Sequence, residues 1–493
     1  MVHRGVTGDA DIVIRSAKVI DGTGSNAVEA DVAIENDRIT AIGNLDRVSG
    51  NVEISGAGRV LAPGFIDVHT HDDRALISNP DMSFKTSQGV TTVITGNCGI
   101  SLAPLSSSVL PPPLNLIANS PAALYAEFKD YLYALDAEPP AVNVAAQVGH
   151  STLRIGTMEN LGRSASHYEV SEMRARLDRA LEDGAIGMST GLYYEPASSA
   201  STGEVIALAK SVHDAGGIHT THMRNEGDKI EESLEESFQI ARDANVPLVI
   251  SHHKVGGMSN FGRSKQTLRM IDQAREKQPV GFDVYPYVAS STVLGVKRLE
   301  QASRILVTWS KTLPEMAGRD LSDIAKEMNT DLTGAAKALA PAGAIYFMMN
   351  EDDVRRILSH PSAMIGSDGL PHDDHPHPRL WGTFPRVLGH YVREQKLFPL
   401  EEAIRRMTSL PAAQFGLRDR GRISTGFFAD LVLFNPSTVI DRATFRAPTE
   451  PAEGIDLVFV NGRAVWKDGT STGARPGIAL RRQTLNTMGI SNP

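Results

Sequence analysis

With 493 residues, 41% of them hydrophobic and 22% charged, the chain has ordinary globular composition and enough length for one large catalytic domain with an accessory one. A net charge of −9 with both signs interspersed excludes a nucleic-acid surface, and no apolar run approaches the ~20 residues of a membrane span. The single cysteine excludes an internal disulfide and the start MVHRGVTGDADIV lacks the apolar core of a secretory signal, so a cytoplasmic protein acting on a small molecule is expected, with its oligomeric state left open.

Residues 11–61 read as short alternating strands: DIVIRSAKVID, a Gly22-Thr23-Gly24 turn, then DVAIENDRITAIG with a hairpin loop at 35–38. The same texture returns after Gly416, in GRISTGFFADLVLFNP and in LVFVNGRAVWKDG, where Asn461-Gly462 is a type I′ turn signal. Neither end holds enough strands to be stable alone. Residues 1–61 and 416–493 are therefore expected to form one small β-sandwich domain, with a catalytic domain, 62–415, inserted between them.

That middle alternates strands and helices. Eight strand candidates fall at residues 65–69, 90–95, 142–148, 185–190, 218–222, 247–252, 281–285 and 363–368. Between them, residues 229–244 place Ile230, Leu234, Phe238 and Ala241 on one helical stripe, and Ser201 with Glu204 has the capping-box pattern ahead of 205–214. The expected fold class is α/β, a (β/α)₈ TIM-like barrel; an open doubly wound sheet is disfavoured because no Gly-rich phosphate turn follows the first strand. Residues 287–341 break the pattern as an insertion with helical pieces after strand seven, on the side where loops form lids.

Candidate ligands gather at the C-terminal ends of these strands, where barrel enzymes carry their chemistry. His69 and His71, two apart, can share a face of the first strand. Cys98 follows the second, His222 ends the fifth, His252 the sixth and Asp368 the eighth. Thiolate and imidazole donors favour zinc over magnesium or calcium. His253 must face away from His252, and His219 stands an odd three residues from His222, so both read as structural. His150, His213, His360, His372, His375, His377 and His390 read as loop or surface residues, with His150 also able to line the pocket because it ends strand three.

The strings GFIDVHTHDD, TSQGVTTVITGNCGISLAPL, GHSTLR, STGLYYEP, THMRNEGD, ISHHK, FGRS, PAGAIYFMM, GSDGLPHD and HPRLWGTFPR resemble the D-aminoacylase (N-acyl-D-amino-acid deacylase) branch of the amidohydrolase superfamily, from about Asp11 to about Leu480. Many dinuclear superfamily members use a carboxylated lysine on strand four; here that strand reads AIGMST, and the resemblance gives the role to Cys98. It implies one tight zinc ion on Cys98, His222 and His252. A second, weaker site would use His69, His71 and Asp368 with Cys98 shared. Asp368 would be the general acid/base, and Lys254, Tyr285 and Arg379 would hold the substrate α-carboxylate. Tyr194, with Tyr193 as competitor, would polarise the scissile carbonyl. Arg298 matches the position that clamps the acidic side chain in N-acyl-D-glutamate deacylases.

The expected activity is zinc-dependent hydrolysis of N-acyl-D-amino acids. The strings SLAPL, FMM and GTFPRVLGHY favour broad or hydrophobic side chains over a glutamate-selective enzyme. Handedness comes from the resemblance; the residues alone imply only that one hand is accepted. A cyclic amidohydrolase of hydantoinase or dihydroorotase type would use the same barrel but lacks support from strand four. A deaminase would release ammonia, and a non-catalytic scaffold should have lost ligands that are all present here.

Overall fold

Strands from both ends of the chain meet in one nine-stranded sheet. In the computed structural model, which describes residues 8–482, the order is Thr470–Ser471, Arg463–Lys467, Ile455–Val460, Leu431–Phe434, Val60–Pro63, Gly8–Val19, Val28–Glu35 and Arg38–Gly43, with Val48–Ser55 also pairing Gly8–Val19. The outermost parts of the expected small domain, 1–7 and 483–493, lie outside the described residues. Leu431–Phe434 runs antiparallel to Val60–Pro63, so a late strand grips the one that leads into the first candidate ligands. The hairpin turns form as their residue types dictate: Asn461 and Gly462 both adopt positive φ, 46° and 75°. A Cβ on Gly462 would lie 1.9 Å from the Asn36 carbonyl oxygen, so only glycine fits. Ile14, Val32, Ile34, Leu61, Leu431 and Phe459 share one apolar cluster of this sheet, while Val13, Ala33, Leu45 and Val48 form another.

The middle of the chain builds a barrel-like parallel arrangement. Phe65–Asp67, Val90–Thr95 and Asn143–Ala146 pair in parallel, as do Val148–Gly149, Gly187–Gly191, Ile218–His222, Leu248–Ile250, Val280–Val284 and Ala363–Ile365. Gln147 alone separates the two sets in sequence, and a parallel bridge joins Thr70 to Gly369. Ile66, Val68, Ile94, Ala145, Ile218, Val249 and Met364 pack together with Ala412 and Phe415. The outer helices pack as their stripes require: Ile230–Ala244 buries Ile230, Leu234, Phe238 and Ala241. Before Thr202–Asp214, Ser201 caps the helix by accepting from the Glu204 amide at 3.1 Å, but the Glu204 carboxylate does not close the capping box; it is buried against His150 and Arg154. No helix of the described residues is long and apolar enough to cross a membrane.

Two expectations need correction. Several strands stop short of their expected ends, at Asp67, Ile250 and Ile365, because the chain then kinks; His252 and Asp368 have φ of 37° and 51°. The segment expected at 287–341 holds strands as well as helices. Ala289–Val293, Ala342–Phe347 and Arg304–Ser310 form an antiparallel sheet in that order beside Leu321–Glu327 and Leu332–Leu339, and its central strand lies wholly after 341. Its β-branched and aromatic runs, STV and ILVTW, are strand formers.

Candidate metal centre

The six candidate ligands converge on one buried spot. His69, His71, Cys98 and Asp368 present donor atoms within 4.8 Å of one another, and so do Cys98, His222 and His252. Cys98 belongs to both sets: its Sγ lies 3.3 Å from His69 Nε2 and 3.4 Å from His252 Nε2. His252 Nε2 is 2.9 Å from His222 Nδ1, and Asp368 Oδ1 is 3.2 Å from His71 Nε2 and 3.5 Å from His69 Nε2. Only His222 sits within a strand. The histidine pair converges by a different route from the one strand parity suggests. Phe65 stacks on Phe384 and Asp67 bonds Lys85, both outside the parallel strands, so a pleat continued from them would turn His69 and His71 outward. The strand ends first, and the Asp368 amide donates to the His69 carbonyl at 2.7 Å, holding the turned-in chain.

Carboxylates behind the histidines fix their rings. Asp283, on Val280–Val284, accepts from the His252 amide at 2.9 Å and stands 3.4 Å from His69 Nδ1. Glu226 stands 3.0 Å from His252 Nδ1 and 3.5 Å from His222 Nε2. Each therefore occupies the ring nitrogen that points away from Cys98, as outer partners of metal-bound imidazoles do. Burial alone would push the Cys98 thiol up, but His69 and His252 more than reverse this and hold it well below its ordinary range. Burial likewise raises the Asp368 carboxyl, and Arg379 with His69 brings it well below the usual carboxylate value. Burial keeps His222 neutral, whereas bonding to Asp368 and the charge of Cys98 overcome burial at His71 and lift it to about 9. Two anions, Cys98 and Asp368, thus share the spot and draw protons onto the imidazoles around them, the positive charge that a bound cation would supply instead.

A cleft opens onto it. His71, Cys98, Tyr194, His222, His252, Lys254, Arg298 and Asp368 line it beside the apolar Ile100, Leu116 and Leu370. The Tyr194 hydroxyl is 3.0 Å from Thr292 Oγ1, whereas Tyr193 turns aside and accepts from Arg298 Nε at 2.8 Å. Lys254 Nζ is tied to Glu226 at 2.6 Å. Arg379 is 0% exposed and pairs with Asp368 Oδ2 at 2.9 Å, its guanidinium 4.6 Å from the centre of the Tyr285 ring. Lys254 Nζ lies 5.7 Å from that same ring, so the three groups expected to bind a carboxylate are neighbours, with Tyr285 and Arg379 set behind the cleft wall.

The amidohydrolase family profile matches residues 53–466. The chain belongs to this family. Among curated relatives of this amidohydrolase, D-aminoacylase of Alcaligenes xylosoxydans xylosoxydans is 52% identical over 96% of this chain and 98% of that one. The N-acyl-D-aspartate deacylase of the same organism is 51% identical over 96% and 95%. The crystal structure of N-acyl-D-glutamate deacylase from Bordetella bronchiseptica, complexed with zinc and a phosphonate mimic of the tetrahedral intermediate, superposes with a TM-score of 0.94 at 46% identity, covering 96% of this chain and all of that one.

In this amidohydrolase the strand Gly187–Gly191 offers no lysine, and Cys98 is the group common to both donor sets. His253 faces Thr267 at 2.9 Å and His219 faces Thr190 at 3.1 Å, both away from the donors; parity within its strand directs His219, whereas the kink at His252, past the strand end at Ile250, directs His253. His150 is not a pocket residue: it is buried with Nε2 2.9 Å from Glu204. His377 is also buried, on the Ala289 carbonyl. Sequence reading missed Asp283, Glu226 and the buried Lys85, which bonds Asp67 at 2.7 Å and Ser367 at 2.8 Å beneath the Asp368 turn. The available signals were a charged residue inside the apolar run VGFDV and the Glu226 carboxylate four residues after His222.

Proposed function

We propose that this amidohydrolase hydrolyses N-acyl-D-amino acids to a carboxylate and the free D-amino acid. One zinc ion would be held tightly by Cys98, His222 and His252, with a second, weaker position at His69, His71, Asp368 and the shared Cys98. The observation that carries the reading is the pair of donor sets sharing one buried thiolate at the floor of a cleft lined by cations and a phenol. The donors fit zinc: one thiolate and two imidazoles leave a coordination position open, and the outer ring nitrogens already face carboxylates. Zinc bound there supplies Lewis acidity, polarising the acyl carbonyl and bringing the pKa of water towards ~7. A thiolate ligand suits a reducing compartment such as the cytoplasm.

The chain's own groups do the rest. Asp368, held ionised, takes the proton of the attacking water at a carboxylate oxygen and delivers it to the amide nitrogen as the C–N bond breaks. Tyr194, whose hydroxyl burial keeps protonated, donates a hydrogen bond to the carbonyl oxygen as negative charge develops there. Lys254, Tyr285 and Arg379 fix the α-carboxylate, and with both ends of the amide pinned only one hand can present its carbonyl carbon for attack. Residues 62–415 act as the catalytic unit. We propose that its eight strands close as a barrel, with Asn143–Ala146 and Val148–Gly149 serving as one strand and Thr70 meeting Gly369; the described parts of the two ends, 8–61 and 416–482, form the small β-sandwich domain and 287–341 the lid.

The apolar cleft wall of Ile100, Leu116 and Leu370 supports hydrophobic side chains. Arg298 on the same cleft supports a second reading, preference for an acidic side chain, since among the described residues its guanidinium bonds the Tyr193 hydroxyl and lies over the Tyr193 and Tyr346 rings, with no carboxylate bonded to it. Amino-acid release from a panel of N-acetyl D- and L-amino acids by the zinc-loaded enzyme tests both. Faster release from D-leucine or D-methionine derivatives supports the first, and from D-glutamate or D-aspartate derivatives the second. Release from the L series, or from none, overturns the proposal.

A further inference from the structure

Glu226 touches three groups at once. Its side chain is 9% exposed; Oε1 lies 2.6 Å from Lys254 Nζ and 3.0 Å from His252 Nδ1, and Oε2 lies 3.5 Å from His222 Nε2. Lys254 Nζ is itself 2.8 Å from His252 Nδ1. If the ammonium alone donated there, Nδ1 would carry the lone pair and the proton would sit on Nε2, facing Cys98. A carboxylate at the same nitrogen demands the opposite tautomer, with hydrogen on Nδ1 and the lone pair towards the thiolate. At His222 the same carboxylate acts by charge: Oε2 stands 3.5 Å from Nε2 without forming a hydrogen bond and favours the proton there, while Nδ1 faces the donor spot. One carboxylate thus favours the same proton placement on both imidazoles and occupies the lysine that would spoil one of them.

The loop carrying Glu226 is built to stay put. Its carbonyl accepts from the Gly256 amide at 2.7 Å, Asn225 Oδ1 accepts from the Gly227 and Lys229 amides, and Asn260 donates to Asp228 at 2.7 Å. Arg263 donates to the carbonyls of Gly227 and Asp228. These contacts give the otherwise unexplained strings THMRNEGD and FGRS a common purpose. We infer that Glu226 is a positioning residue that sets the ring tautomers of His222 and His252 for zinc, an inference that rests on the zinc reading above.

Competition of the purified protein against a chelator of known zinc affinity is the test, with far-UV circular dichroism reporting the fold. Native protein should hold about one zinc ion tightly. Glu226→Gln should bind it 10- to 100-fold more weakly, the loss typical of removing an outer partner of a metal-bound histidine. Lys254→Met should bind within threefold of native. In the double variant Glu226→Gln/Lys254→Met, zinc should stay at least tenfold weaker than native, because an uncharged amide offers one acceptor oxygen where the carboxylate set one beside each ring. Restoration to within threefold of native in the double variant would reduce Glu226 to a counterion of Lys254 and overturn the inference, as would native affinity in Glu226→Gln. If the glutamine variant does not fold, Glu226→Asp, which withdraws the carboxylate by one methylene, should also lose affinity, and native affinity there overturns it. Native protein that holds no zinc sinks the zinc reading instead.

Discussion

Cys98, His252 and Asp368 all adopt positive φ, at 53°, 37° and 51°, a backbone region that costs a non-glycine residue on the order of 1–3 kcal/mol. Three of the six candidate ligands are therefore held against local preference, which ties their directions to the surrounding packing. Replacing the shared donor should matter most: Cys98→Ala should lose both zinc, measured by elemental analysis after dialysis, and activity, whereas Cys98→Asp should keep a part of each because carboxylates also ligate zinc. Retention of full activity by a metal-free Cys98→Ala protein would remove the metal from the mechanism. Asp368→Asn should lower kcat by ~10²–10⁴, the scale of general acid/base catalysis, and keep the tight zinc; loss of that zinc would make Asp368 a primary ligand. Arg379→Ala should reduce kcat/KM by about 2–5 kcal/mol equivalent on an N-acyl-D-amino acid and by less on an N-acyl amine without the carboxylate. Equal losses on both would assign Arg379 to its bond with Asp368 alone. The ligand types and their places after strands could be read from the sequence, since histidine and cysteine after apolar runs stand out. Asp283 and Glu226 left only a charge within VGFDV and a carboxylate four residues after His222, marks that many structural residues share until the fold sets them behind an imidazole.

At the scale of elements, strands and helices followed from periodicity, while their ends depended on tertiary bonds. The Glu204 carboxylate shows the difference: its place in a capping box is local, yet it serves the buried His150 and Arg154, and Arg154 also donates to the Pro196 carbonyl of the segment bearing Tyr194. Burial would raise the Glu204 carboxyl, but hydrogen bonds from His150 and Arg154 bring it down to about 2. Its contribution to stability is then fully present above the ordinary value of 4.5 and fades as pH falls through about 2. Glu204→Gln strands the Arg154 charge and should cost about 3–5 kcal/mol at pH 7 by urea unfolding. The gap between native and variant should narrow below pH 4.5; a gap independent of pH would show that the ionised carboxylate is not what the native fold uses. The sheet within 289–347 was illegible for another reason, since three short strands whose partners lie about thirty to sixty residues apart carry no local sign of pairing.

For the whole molecule, the paired textures of the two ends announced that they meet, though their order within one sheet is set by register rather than by pattern. The last part of the chain also reaches the barrel-like strands: the Ile478 carbonyl accepts from the Val144 amide at 3.0 Å and the Leu480 amide donates to the Val144 carbonyl at 2.7 Å. This geometry constrains synthesis. Val60–Pro63 emerges early, but its partner Leu431–Phe434 is made only after every residue from 64 to 430. At ~5–20 residues per second the early strand waits on the order of 20–70 s with its hydrogen-bonding edge open. Ribosome-bound chains stalled before residue 431 should be cleaved readily by a dilute protease, while chains stalled with residue 482 fully outside the exit tunnel should resist it; resistance in the shorter chains would mean that the centre folds without its late partner. A newborn chain thus spends most of its translation as an unfinished sheet, so its yield in a cell depends on how well that edge is shielded until the closing strand arrives.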